Sequence, residues 1–425
     1  MSFQQGLSGL NAASKQLEVI GNNVANANTV GFKQSRAEFA DVFANSLTGG
    51  GGTQIGIGTS LSTVAQQFTQ GNITSTNNSL DIAINGGGFF RMTNNGAVTY
   101  SRNGQFKMDK DGFIVDSANK HLTGYAADST GTLQKGAPVD LNISTSDLQP
   151  KSTTSVVGLV NLDSRKATPA VTPFDPTDPT TYNDSTAVTV FDSLGNSHTL
   201  QSYFVKDAAL PNVWNVYTTA DGISTTVLPA PTATMTFPAS GTGMNPTSVP
   251  ASPTTVTFAP LNPPIPPATV PTVPTGAAAV SIQMDYSGST QFGSNFSINS
   301  LSQDGYTSGR LAGFNTGADG TIVGRYSNGQ SRTLGQVVLA SFANPNGLQS
   351  LGGNAWSESS TSGAPLVGVP SSGTLGVLQS SAVEDSNTDL TAELVNMITA
   401  QRYYQANAQT IKTQDQVLQT LVNLR

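Results

Sequence analysis

The stretch SNTDLTAELVNMITAQRYYQANAQTIKTQDQVLQTLVNLR, residues 386–425, carries the strongest periodic signal in the chain. Leu390, Leu394, Met397, Gln401, Tyr404, Ala408, Ile411, Asp415, Leu418 and Val422 follow one another at alternating spacings of four and three. That is the repeat of a helix with one apolar seam. Ser386-Asn387-Thr388-Asp389 resembles a capping box at its start. Acids gather there at Glu384, Asp385, Asp389 and Glu393, and Arg402, Lys412 and Arg425 come later, as the helix dipole favours.

The same repeat opens the chain. Phe3, Leu7, Leu10, Ser14, Leu17, Gly21 and Val24 form a second stripe, widened by Ile20, that should fail at Asn26–Gly31, where Asn favours turns and Gly ends helices. Two helices at opposite ends can meet only if everything between them returns the chain to its origin. Their stripes then have each other as partners, and a flank left exposed on the pair requires neighbouring subunits.

Between the helices the pattern changes to period two. Leu80–Ile84, Phe89–Met92, Val98–Arg102, Gln105–Met108, Phe113–Val115 and Leu122–Tyr125 read as short strands separated by Asn-Gly, Asp-Gly and Gly-rich breaks. A second β region begins at Ala187–Asp192, turns at Ser193-Leu194-Gly195-Asn196 and continues through Leu200–Val205; strand patterns resume at Val280–Met284. From Gly222 to Met284 there is no charged residue, and recurring Pro excludes helix and central strand across much of 229–274, which reads as an extended surface excursion. The expected fold is multidomain α+β, with terminal helices pairing as a coiled coil and two nested, mainly antiparallel β domains. The expected boundaries are 1–30 with 386–425 for the helices and 31–70 with 350–385 for linkers. The first β domain takes 71–145 with 285–349, and the second takes 146–284.

Composition narrows the function. Charged residues are 11% of the chain, against roughly 25% in ordinary globular proteins, and the net charge is -7. A weakly charged polar surface packs readily against copies of itself, and no basic run offers a footprint for nucleic acid or anionic membrane. There is no Cys, so neither disulfides nor thiolate metal sites are available, and no stretch approaches a membrane span. His121 and His198 lack metal-ligand spacing, and no nucleophile elbow or phosphate loop occurs. Asp109-Lys110-Asp111-Gly112 begins like a calcium loop but lacks its later ligands, so a hairpin turn is the better reading. Gly49–Gly52 and Gly86–Gly88 read as hinge and bulge. A structural subunit without catalytic, cofactor or metal residues is expected.

Two segments resemble a known family. Val19–Lys33, which includes Asn22, Asn23, Asn26, Asn28, Thr29, Gly31, Phe32 and Lys33, looks like the N-terminal signature of the flagellar rod and hook axial proteins. Glu393–Asn407, which includes Gln401, Arg402, Tyr404 and Asn407, resembles their C-terminal signature. Length and the Asp192–Asn196 turn fit the hook-forming branch, with the distal rod branch as the alternative; an enzyme carrying such termini is a remoter one. The resemblance implies a subunit that assembles into a tubular, curved hook outside the cell and acts as a flexible joint between rod and filament in motility. It implies export through the flagellar type III apparatus. It also implies contact with the distal rod protein, the hook-filament junction protein and the hook cap, and no nucleic acid or membrane partner.

Overall fold

Helix α1 (Ser2–Ala25) and helix α2 (Leu390–Asn423) bracket a β-rich chain in the computed structural model, which describes residues 2–42, 56–144, 146–242, 253–260 and 276–423. The α1 helix stops where expected: Ala27 and Thr29 amides turn back onto the Val24 and Asn26 carbonyls, and Gly31 takes φ +72°. A Cβ at Gly31 would lie 2.6 Å from the Asn103 amide nitrogen, so no other residue fits there unstrained. At α2 the cap is Asp389 rather than a box opened by Ser386. Its Oδ1 accepts from the Thr391 and Ala392 amides at 2.9 and 3.1 Å, and Glu393 is left for another task.

The chain divides into two units. The first comprises Met1–Thr145, Ala312–Arg325 and Ser331–Arg425; the second comprises Ser146–Leu311 and Tyr326–Gln330. In the first, antiparallel strands Phe89–Asn94, Ala97–Ser101 and His121–Ala126 pair with Phe90 opposite Ser101 and Met92 opposite Leu122. Phe89, Tyr100, Ala340, Phe342 and Trp356 fill its aromatic cluster, edge to face at 4.8–5.9 Å. Asp109–Gly112 is a hairpin turn, as expected: Asp109 Oδ1 accepts from the Asp111 and Phe113 amides.

The segments read as linkers are structured instead. Strands β1 (Ser35–Val42) and β2 (Gly58–Gln66) form an antiparallel hairpin against α1, and five short strands occupy Gln349–Glu384. Their Gly and Ser content hid strands that are only a few residues long. The proposed hinge at Gly49–Gly52 lies outside the described residues. Gly86 has φ +114°, and a Cβ there would meet Gly376 at 2.9 Å, so it is a site of close packing.

In the second unit Asp184–Phe191, Ser197–Lys206 and Val213–Ala220 form an antiparallel meander. A second sheet is built on Ser155–Asp163, flanked by Val280–Asp285 in parallel and Ser297–Gln303 antiparallel. Because these last strands complete that sheet, the unit runs to Leu311 and the boundary expected at 284 is too early. The two sheets bury Val160, Leu200, Phe204, Trp214, Met235 and Ile282 between them. Part of the Pro-rich run enters this core: Ala233–Thr236 and Thr254–Phe258 are strands that supply Met235 and Val256, both at sheet edges, where Pro nearby is tolerated. Its Pro263-Pro264 and Pro266-Pro267 pairs fall outside the described residues. His198 is buried in strand Ser197–Lys206, with Nδ1 2.6 Å from Asp221 and Nε2 3.4 Å from Asp192, whose carboxylate also ties the Asp192–Asn196 turn.

Candidate assembly surface

The terminal helices pack antiparallel along a seam that takes in only part of the stripes that the heptads mark. Gly6 lies against Ile411, where a Cβ would sit 3.1 Å from its Cγ1. Gly9 lies against Asn407, where one would sit 2.6 Å from Oδ1. Further along the seam come buried Ala13, Ile20 and Asn23 from α1, with Ala400 and Glu393 from α2. Small residues let the backbones approach closely, so the seam is built on Gly, Ala and polar side chains, with Ile20 and Ile411 as its larger apolar members.

The apolar stripes therefore remain largely uncovered. Phe3, Leu7, Leu390, Leu394, Tyr404, Leu418 and Val422 are exposed, Leu418 by 54% and Val422 by 73%. Leu10, Leu17, Val24, Met397 and Ile411 are half-buried, the last three nearest the seam. Val395, Ile398, Tyr403 and Val417 are exposed as well, on other sides of α2. Exposed apolar faces of this extent are uncommon on a single chain in water.

A buried polar junction ties the signature residues Gly31 and Lys33 to Glu384, which Arg102 also reaches. Lys33 Nζ donates to Glu384 Oε1 at 2.7 Å and to the Thr69 carbonyl at 2.7 Å. Arg102 Nη1 donates to Glu384 Oε2 at 3.2 Å, and the Gly71 amide donates to Oε1. The three side chains are almost wholly buried. Burial pulls Lys33 and Arg102 below their usual ranges, and the Glu384 carboxylate opposes it. A buried pair like this holds because every charge is hydrogen-bonded. The Gly31 amide donates to the Glu384 carbonyl at 2.8 Å, locking the turn onto the same strand.

A second layer joins the helices themselves. Asn23 Nδ2 donates to Ser35 O and to Glu393 Oε2, while its Oδ1 accepts from the Ser35 amide. Gln34 Nε2 donates to Glu393 Oε1, and Asn387 receives the Gln34 amide. Asn22, Asn26 and Thr29 form a local ladder: Asn26 donates to Asn22, and Thr29 donates to Asn26. Asn407 donates to the Tyr403 carbonyl on the seam. Phe32 is half-buried, while Asn28, Gln401 and Arg402 are exposed. Glu384, Arg102 and Glu393 were not singled out from the sequence as members of this junction. Lys33 and Glu384 are 351 positions apart, and only the fold brings them together.

Comparison with known proteins agrees with this geometry. Residues 3–33 match the flagella basal body rod protein family, 83–156 the flagellar hook protein FlgE/F/G D1 domain, 161–306 the flagellar basal body protein FlaE D2 domain and 379–424 the flagellar basal body rod FlgEFG protein C-terminal family. The flagellar hook proteins FlgE of Escherichia coli strain K12 and Salmonella typhimurium are 43% and 44% identical, each over 100% of both chains. The fold is similar to a Helicobacter pylori flagellar hook protein, FlgE2, with TM-score 0.51 and 15% identity, over 73% of this chain and 100% of that one. Agreement over the whole length with hook proteins leaves the distal rod alternative with less support. The chain belongs to the flagellar hook protein family, and its place is in the hook of the bacterial flagellum.

Proposed function

We propose that the chain polymerises through its terminal helices into a curved tube and serves as a flexible joint that transmits torque from rod to filament, without catalytic activity. The observation that carries this reading is the apolar stripe running the length of α2, of which the α1–α2 seam takes in only part. Only neighbouring copies would cover it. The distal rod protein, the hook-filament junction protein and the hook cap would then be its neighbours in the flagellum, and the type III export apparatus its route.

Bending would fall to connections between units, since packed cores do not stretch continuously. Gly352 and Gly353, with φ +80° and +59°, lie instead in a hairpin turn inside the first unit, between Gln349–Gly352 and Ala355–Ser357. Polymerisation of a Leu394→Asp variant, followed by electron microscopy, tests the assembly reading: normal tubes would remove α2 from the mechanism. Replacing residues 146–311 by a short linker tests the bending reading, for which tubes without curvature are expected.

A further inference from the structure

A groove of about 500 Å³ opens where α1, β1 and the start of α2 meet, lined by Val19, Ile20, Arg36, Ala37, Phe39 and Asn396 among others. Its deeper polar groups are already committed, because Asn23, Gln34 and Glu393 bond one another. Beside the polar side chains of Gln16 and Asn396, the groove offers a partner the apolar side chains of Val19, Ala37 and Phe39 and one cation, Arg36, for which no ion pair is found among the described residues. That apolar side extends along the hairpin, where Ala37 pairs with Val64 and Phe39 with Leu61, and Phe39, Leu61 and Val64 are all exposed. A two-stranded ribbon is marginal in water by itself, so an apolar ladder on one calls for a cover.

The same chain carries a complementary surface. Gly6 packs on Ile411, α1 begins four residues before Gly6, and α2 continues for twelve residues beyond Ile411. The difference of about eight residues leaves roughly 12 Å of α2 without α1 beside it. On that overhang Asp415, Leu418 and Val422 stand at i, i+3 and i+7 on one face, an anion followed by two exposed apolar residues.

We propose that the groove of one copy receives the Asp415–Leu418–Val422 face of a second copy, with Asp415 against Arg36. This rests on the self-assembly reading and gives it a direction. The contact joins different patches of identical chains, so it is of the head-to-tail kind from which open helical polymers are built. Charge complementarity selects the occupant: the groove presents a cation beside apolar wall, and the overhang presents an anion beside apolar side chains.

The absence of Cys gives a clean test on the full-length chain. The Thr59 amide, paired opposite Asp41, reaches Ser8 beside the Gly6–Ile411 contact, so within one chain Leu418, seven positions beyond Ile411, is roughly 20 Å from Phe39, too far for a disulfide. Polymer of the Phe39→Cys, Leu418→Cys double variant, oxidised and then denatured, should yield a covalent ladder, while each single variant yields none. Polymer without a ladder overturns the groove assignment and leaves helix-driven assembly standing. Independently, Arg36→Asp and Asp415→Arg should each raise the critical concentration for assembly about tenfold, and the combined reversal should recover it. A combination no better than either single change overturns the assignment whatever the cysteines do. Failure of the underlying reading looks different, as normal tubes from Leu394→Asp.

Discussion

The core of the second unit closes on itself, whereas the terminal helices leave much of their apolar surface open. Between the two sheets Val160, Leu162, Val190, Leu200, Phe204, Trp214 and Ile282 are all essentially inaccessible. On α2, Leu394, Val395, Ile398, Val417, Leu418 and Val422 face outward. Apolar residues at regular spacing thus end differently in one chain: in the β unit they finish a fold, and on the helices many of them stay uncovered. What separates the cases is the seam. Gly6, Gly9 and Ala13 use the inner face of α1 for close approach, and most of the larger side chains are left for the outside.

The largest expected effect on the subunit comes from the junction that holds the helices to the β body. Glu384→Ala would strand Lys33 and Arg102 in a buried setting with no carboxylate, at a cost of about 3–5 kcal/mol. Thermal unfolding of the soluble subunit should lose the first unit's transition and spare the second's. Glu384→Gln keeps the geometry without the charge and should fall between. If both variants melt as wild type does, the junction does not anchor the helices and the contrast between the regions weakens.

The second unit has its own signature in pH. Tyr286 is wholly buried and donates to Ser202 Oγ at 2.9 Å, and burial pushes its hydroxyl up to about 12. Because the folded value lies above the ordinary one near 10, the neutral form is favoured by folding. Its contribution is intact below about pH 10 and is lost as pH climbs toward 12, on the order of 2–3 kcal/mol in all. Tyr286→Phe should flatten that part of the alkaline stability profile of the second unit, relative to wild type. Tyr100 in the first unit is also pushed up to about 12 by burial, so the difference between variant and wild type is the quantity to read.

Much of this was legible in the sequence, and the misses have physical causes. The heptads of α1 and α2 announced themselves because a stripe of large apolar residues survives whether it meets the same chain or another. The seam did not, because Gly6, Gly9 and Asn407 carry no hydrophobic signal, and their value is the space they leave. Lys33 was visible as part of a motif but its role was not, since Glu384 and Arg102 reach it only through folding. Strands Ser155–Asp163 and Val213–Ala220 escaped notice although they anchor the second unit. Val213–Ala220 is buried on both faces, so its pattern does not alternate.

The seam is the next point at which to press the comparison. Gly6→Leu places a branched side chain where even a Cβ comes within 3.1 Å of Ile411, and overpacking of that kind costs about 1–3 kcal/mol. Far-ultraviolet circular dichroism should show the helical signal melting earlier, with the β signal of the second unit unchanged. An unshifted helical transition would mean that the helices pair by another face.

The smallest effect on the isolated subunit should come from Leu418→Asp, and it is the most informative. Leu418 is 54% exposed on α2, so replacing it removes little burial within the chain, and the subunit's stability should change by no more than about 0.5 kcal/mol. If α2 packs on neighbouring copies as proposed, the same position is covered in every copy, and a carboxylate there would have to be desolvated without a partner. Assembly, followed by light scattering and electron microscopy, should therefore fail while the melting curve stays where it was. A core position such as Trp214, wholly buried in the second unit, should behave in the opposite sense, because Trp214→Ala costs about 3–5 kcal/mol before assembly begins. If Leu418→Asp instead destabilises the subunit as a core substitution does, the outward stripe of α2 serves the fold of the single chain.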